Sequence, residues 1–225
     1  MDTQTSSSEC AANTHMSLRE TIVQGGYRPG QRLLALDIAK KLGVSRTPVR
    51  EALVRLCDEG LVEQDQAGGF FVRTMTLVDV EELFTVREML EQEAAQLALR
   101  RVDPAWLAQL DGLLAASETA FHAGQAVAAI AAARKFHLAI AARTGNRLLC
   151  SMVESISDRV HMLGVALLAD QPQRAQQVLA ENRAILAALA IGEAETVRKA
   201  VHNHIERSRL LIFPNQRSSY AFSTS

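Results

Sequence analysis

Arg46, Thr47 and Arg50 form a small basic cluster inside GVSRTPVREALVRLCDEGLVEQDQAGGFFV, residues 43–72. A guanidinium ends in a planar fork of donors that matches the two acceptors on the major-groove edge of guanine. Threonine adds a hydroxyl for a phosphate and a methyl that can meet thymine. Their spacing suits one side of a helix, because Arg46 and Arg50 lie one turn apart. Val49, Leu53 and Leu56 repeat on the opposite side as a buried stripe. Ser45 stands where a cap can accept a hydrogen bond from the first-turn amides, and Pro48 falls where a missing N–H costs nothing. A helix that enters the major groove by its N-terminal end puts such side chains against base edges, and that end also favours phosphate. Two arginines are equally at home on a solvated helix face, with Arg50 paired to Glu51 or Glu20. The surrounding elements and the charge distribution decide between the two.

The elements needed to hold that helix are legible on both sides. Ser17–Gln24 reads as a short helix ended by GGYRPG, and Leu33–Leu42 as a second stopped by Gly43. After Gly60 the period shortens. LVEQ and FFV are strand-like runs joined by DQAGG, a hairpin with a glycine turn. Gly68 and Gly69 would let its tip approach a DNA backbone, with Phe70 or Phe71 pinning it to the core. Helix, helix, turn, helix, hairpin is the order of a winged helix-turn-helix, assigned to 17–75. Beyond Thr76 every segment reads as helix: Leu77–Arg101, a helix capped by Asp103 with Pro104 in its first turn, Gln125–Thr144, Asn146 to about 169, Pro172–Ile191, and Glu193 to about 213. The fold class is mostly α, with an all-α bundle over 76–214. Polar tails are expected at 1–16 and 215–225.

Net charge is −1 over the whole chain, which is no polyanion binder's composition. Between Leu18 and Leu56, however, eight basic residues face three acidic ones, a surplus of five. A basic front unit joined to an acidic remainder confines the electrostatic footprint to the front. The three cysteines are scattered without C-x-x-C spacing, so neither a disulfide framework nor a zinc finger is indicated. No apolar run reaches membrane-spanning length and the start lacks a signal peptide's pattern, so a cytoplasmic protein with no membrane partner is expected.

LRETIVQGGYRPGQRL followed by DIAKKLGVSRTPVREALVRLCDEGLVE closely resembles the DNA-binding domain of GntR-family bacterial transcription regulators. REMLEQEAAQLA (87–98), FHLAIAARTGNRLL (136–149) and ENRAILAALAIGEAETVRKAVHNHI (181–205) are similar to the helical FCD effector domain of its FadR subfamily. The matches cover nearly the whole chain after residue 16. The resemblance implies a homodimer that places two recognition helices on a palindromic operator in double-stranded DNA. Arg46, Thr47, Arg50, Ser45 and Gly69 would make the contacts. It also implies a small-molecule effector in the bundle. One departure concerns DNA: the second helix of such proteins often carries a polar or basic residue where this chain has Leu36, a position that would be core or packed on the wing.

A second departure concerns metal. Many FCD domains hold a divalent ion through one Asp and three His, a donor set suited to zinc, nickel or manganese. At the matching positions this chain has Ala133, His137, Asn182 and His204, so only two donors of four remain. No tight metal and no other cofactor is expected. His161 is the candidate replacement ligand, whereas His202 and His204 lie about 200° apart on a helix and cannot share a face. Otherwise His137 and His204 are hydrogen-bonding groups in a metal-free pocket. Arg87, one turn before Glu91, is the best cation for a ligand carboxylate. The alternative is a surface pair with Glu91 worth about 0.3–0.5 kcal/mol. Arg159 is a weaker candidate for the same pocket.

The expected function is a sequence-specific transcription regulator, a repressor, responding to a small organic acid. The rival is a constitutive DNA-binding dimer whose pocket no longer senses anything. Enzyme signatures such as G-x-S-x-G, a phosphate loop or H-E-x-x-H do not occur, so catalysis is not expected.

Overall fold

A computed structural model describes the backbone of residues 2–168 and 172–212; the expected tail at 215–225 lies outside these residues. Two units divide the chain. One comprises Met1–Met75 together with Asp158–Leu167, the other Thr76–Ser157 with Leu168–Ser225.

The first unit opens with helix α1, Asp2–Val23. The sequence reading began this helix at Ser17 after a polar tail; the helix instead runs through that stretch. Nothing before Gly25 breaks it, and Ala11, Thr14, Leu18 and Ile22 recur on one face and are buried. A two-residue strand β1, Arg32–Leu33, precedes α2, Ala35–Leu42. Leu33 is therefore strand, not the start of the second helix. Gly43 closes α2 at φ +67°, a left-handed conformation suited to glycine. Helix α3, Arg46–Asp58, follows at once, and then the hairpin strands β2, Val62–Gln64, and β3, Phe70–Val72. The sheet order is β1-β3-β2, all antiparallel, with Leu33 opposite Phe70 and Val62 opposite Val72. Phe70 is the aromatic that anchors the hairpin, in a core with Ile22, Leu33, Ile38, Val49, Leu53 and Leu56.

The second unit begins with α4, Leu77–Leu99. A capping box starts it: the Asp79 amide donates to Thr76 Oγ1 (3.1 Å) and the Thr76 amide to Asp79 Oδ2 (2.8 Å). Helix α5, Pro104–His122, is capped by Asp103, whose Oδ1 accepts from the Trp106 amide at 2.8 Å. Then come α6 (Ala126–Arg143), α7 (Arg147–Leu168), α8 (Pro172–Ile191) and α9 (Ala194–Ile212). In this bundle α5 lies along α6 and α8, and α4 along α9 and α6. The second half of α7 folds with the first unit, whereas the sequence reading placed all of 76–214 in the second.

Candidate DNA interface and bundle site

Helix α3 carries the candidate DNA contacts. Val49, Leu53 and Leu56 are fully buried and Ala52 nearly so, which fixes the rotation of the helix and turns Ser45, Arg46, Thr47 and Arg50 out to solvent. No hydrogen bond or ion pair engages Arg46 or Arg50 among the described residues, so neither is the partner of Glu20 or Glu51. Ser45 occupies the N-cap with an extended backbone but makes no side-chain cap bond, contrary to expectation; its hydroxyl is exposed beside the amides of the first turn. Lys40 and Lys41 are exposed on α2.

At the hairpin tip the Gly69 amide donates to Asp65 Oδ1 at 2.7 Å. Its N–H is spent inside the turn, and what Gly69 contributes is close packing: a Cβ there would come within 3.0 Å of Asp65. Leu36 is neither core nor wing-packed. Nearly half of it is exposed (48%) on the first turn of α2. The helical period put Ile38 and Ala39 inward and left Leu36 outside.

Arg159 and His161, read as pocket residues, belong instead to the first unit. Arg159 Nη2 donates to the carbonyl of Glu59 at 2.9 Å, one of the free acceptors at the end of α3. His161 Nε2 lies 3.3 Å from Gln24 Oε1. The neighbouring Asp158 is buried and paired with Arg19, which also donates to Glu59 (3.1 Å), and Met162 joins the core of this unit. The division between the units falls within α7, between Ser157 and Asp158, so these side chains belong to another unit than the residues earlier on the same helix.

The second unit brings together Arg87, Glu91, His137, Asn182 and His204, all buried. Arg87 Nε donates to Glu91 Oε1 at 2.7 Å, so the pair is a core interaction, not a surface one. Arg87 Nη2 lies 3.0 Å from His204 Nε2, and His204 Nδ1 lies 3.1 Å from Glu181 Oε2. A carboxylate only accepts and a guanidinium only donates, which sets the tautomer: Nδ1–H donates to Glu181 and Nε2 accepts from Arg87. Burial pushes the His204 imidazole down to about 4, with His137 and Arg87 adding to the effect, so it is neutral at physiological pH. Burial alone would raise the Glu91 carboxyl, but Arg87 and His137 beside it outweigh that and hold it well below the usual carboxylate range. His137 stacks on His204 with ring centroids 4.9 Å apart, and its Nε2–H donates to Asn182 Oδ1 at 3.1 Å. Its Nδ1 lies 2.9 Å from Glu91 Oε2 but outside hydrogen-bonding angles. Glu91 Oε2 and Asn182 Nδ2 are buried and have no hydrogen-bond partner among the described residues. A small cavity adjoins Glu91, lined by Glu91 and His137 on its polar side and by Ala94, Ala95, Ile140, Val153, Ile185 and Val201 elsewhere. Glu181, the anchor of His204, was not singled out in the sequence; the i, i+23 spacing of that pair carries no local signal.

The donors present do not fit a divalent ion. Ala133 offers none, Asn182 presents an amide, and the ring nitrogen of His204 is taken by a cation.

The model of bacterial regulatory proteins of the gntR family matches residues 11–72, and that of the FCD domain matches residues 82–207. The HTH-type transcriptional regulator YdhC of Bacillus subtilis is 32% identical, covering 83% of this chain and 84% of the relative. The HTH-type transcriptional regulator McbR of Escherichia coli is 30% identical, over 87% and 89% of the two chains. The solved structure of E. coli McbR/YncC superposes with a TM-score of 0.83 at 28% identity, covering 91% of this chain and 97% of the other. No helix among the described residues is long and apolar enough to cross a membrane.

Proposed function

Because this chain belongs to the GntR family of bacterial transcription regulators and carries an FCD domain behind its DNA-binding unit, we propose that it is a cytoplasmic, homodimeric repressor that reads a palindromic operator with α3 and is released by a small organic acid bound in the bundle. Transcription regulation is its work, not catalysis. One observation carries the operator reading. A helix whose inner face is fully buried turns an unpaired Arg46, Thr47 and Arg50 outward from its N-terminal end. Selection of duplexes from a random pool, followed by anisotropy titration, tests it. Enrichment of a two-fold symmetric sequence with guanines in each half-site supports the proposal, and uniform binding of all duplexes defeats it. Light scattering checks the dimer against the 24.5 kDa monomer.

A buried acceptor beside a small cavity, Glu91 Oε2, has no hydrogen-bond partner among the described residues and supports effector binding, since a ligand donor there would satisfy it. The constitutive alternative is favoured by a different observation: Arg87, Glu91, His204 and Glu181 already satisfy much of one another. A thermal-shift screen of small organic acids separates the two readings. A sensor is stabilised by a particular compound and an inert dimer by none.

A further inference from the structure

We infer that Arg87 is the resident cation of the bundle site, and that this site therefore works without a metal ion. The inference does not depend on which effector binds.

His204 has one nitrogen lone pair to give. Its Nδ1–H is committed to Glu181, so the lone pair is on Nε2, and Nε2 faces the Arg87 guanidinium at 3.0 Å. A metal on that nitrogen would sit about 2.0–2.1 Å from it. It would meet a fixed positive charge at hydrogen-bond range, in a site from which water is nearly excluded. Moving Arg87 aside is opposed by Glu91, which holds its Nε at 2.7 Å and is itself buried. Glu91 without that guanidinium would be an uncompensated charge in the core.

The other ring does not complete a donor set. His137 Nε2 is engaged by Asn182, which leaves Nδ1 and the neighbouring Glu91 Oε2 as two donors, and no group of three or more His, Cys, Asp or Glu among the described residues could hold a metal ion. One turn back on α6, Ala133 is buried on the same side and offers only a methyl. The arrangement supplies what an ion would have supplied, a positive charge and directed bonds that orient both imidazoles, from a group that does not dissociate or exchange.

Metal uptake tests this directly. Protein stripped with EDTA is incubated with Zn2+, Mn2+ or Ni2+, desalted, and its metal content measured by plasma mass spectrometry. A His204→Gln variant subtracts any binding at exposed histidines. The expected result is equal metal in wild type and His204→Gln. About one equivalent per wild-type chain, lost in His204→Gln, would overturn the inference. The double variant Ala133→Asp/Asn182→His rebuilds a four-donor set and should gain a site; adding Arg87→Met to it should tighten metal by about 10-fold or more. An Arg87→Met change without effect on that affinity would overturn the assignment of Arg87 as the cation. If the rebuilt chains do not fold, the wild-type comparison still decides the matter. The acid screen, repeated in EDTA, keeps the two readings apart. A stabilising acid that loses its effect in EDTA counts against the metal-free site, whereas a screen with no active compound counts only against effector sensing.

Discussion

At the residue scale, the proposed DNA contacts and the bundle site make different demands on their arginines. Arg46 and Arg50 are exposed and unpaired, so removing either should leave stability nearly unchanged and cost only binding. Each Ala variant should lose about 1–3 kcal/mol of specific affinity, roughly 5- to 150-fold, in anisotropy titrations against the selected operator. Melting temperatures that fall with the affinity would show that the arginines are structural. Arg87 is the opposite case. Its Ala variant strands Glu91 and leaves His204 Nε2 unsatisfied, so unfolding free energy should drop by about 3–5 kcal/mol in urea melts. A loss below about 0.5 kcal/mol would show a solvated pair instead. The outward placement of Arg46 and Arg50 on α3 was legible because their context is one local helix. The Arg87–His204 bond spans 117 positions between α4 and α9 and has no local signature.

At the element scale, signals that live within one turn were readable. Asp103 before Pro104 marked the start of α5, and the cap bond to the Trp106 amide is present. Asp103→Ala should cost about 0.5–2 kcal/mol, seen in thermal or urea melts of the full chain, and Asp103→Asn should retain most of that. Equal losses in both would place the effect in the Arg143 ion pair rather than in the cap. Signals that depend on distant partners were not readable. Strand β1 is two residues long and exists only because Leu33 and Arg32 pair with Phe70 and Phe71. The polar beginning of α1 looked like a tail because its buried face is made of small side chains, Ala11 and Thr14. On α7 the helix itself was plain, but nothing in its pattern announced that Asp158, Arg159 and Met162 would pack with the first unit.

At the scale of the whole molecule, buried titratable groups concentrate in one of the two units, so acid should weaken that unit first. The ordinary histidine value is 6.5, and His204 in the fold is pushed down to about 4. Between those values the unfolded chain binds a proton that the folded chain refuses, so stability falls as pH drops from about 6.5 to about 4. The possible loss approaches about 3 kcal/mol at the lower limit, since each unit of difference is worth about 1.4 kcal/mol. Glu91 acts with the same sign over a lower range. Its folded carboxyl is held below the ordinary 4.5, so its contribution is present above that value and is lost as pH falls further. Urea melts from pH 7.5 to 4.5, followed by tryptophan fluorescence, report this unit selectively, because Trp106 on α5 is the only tryptophan. The midpoint should decline most steeply below pH 6.5, and His204→Gln, whose side chain does not titrate, should flatten that decline above pH 4.5. A wild-type midpoint constant from 7.5 to 4.5 would mean that His204 is not held neutral between Arg87 and Glu181, and the bond that defines the bundle site would have to be abandoned.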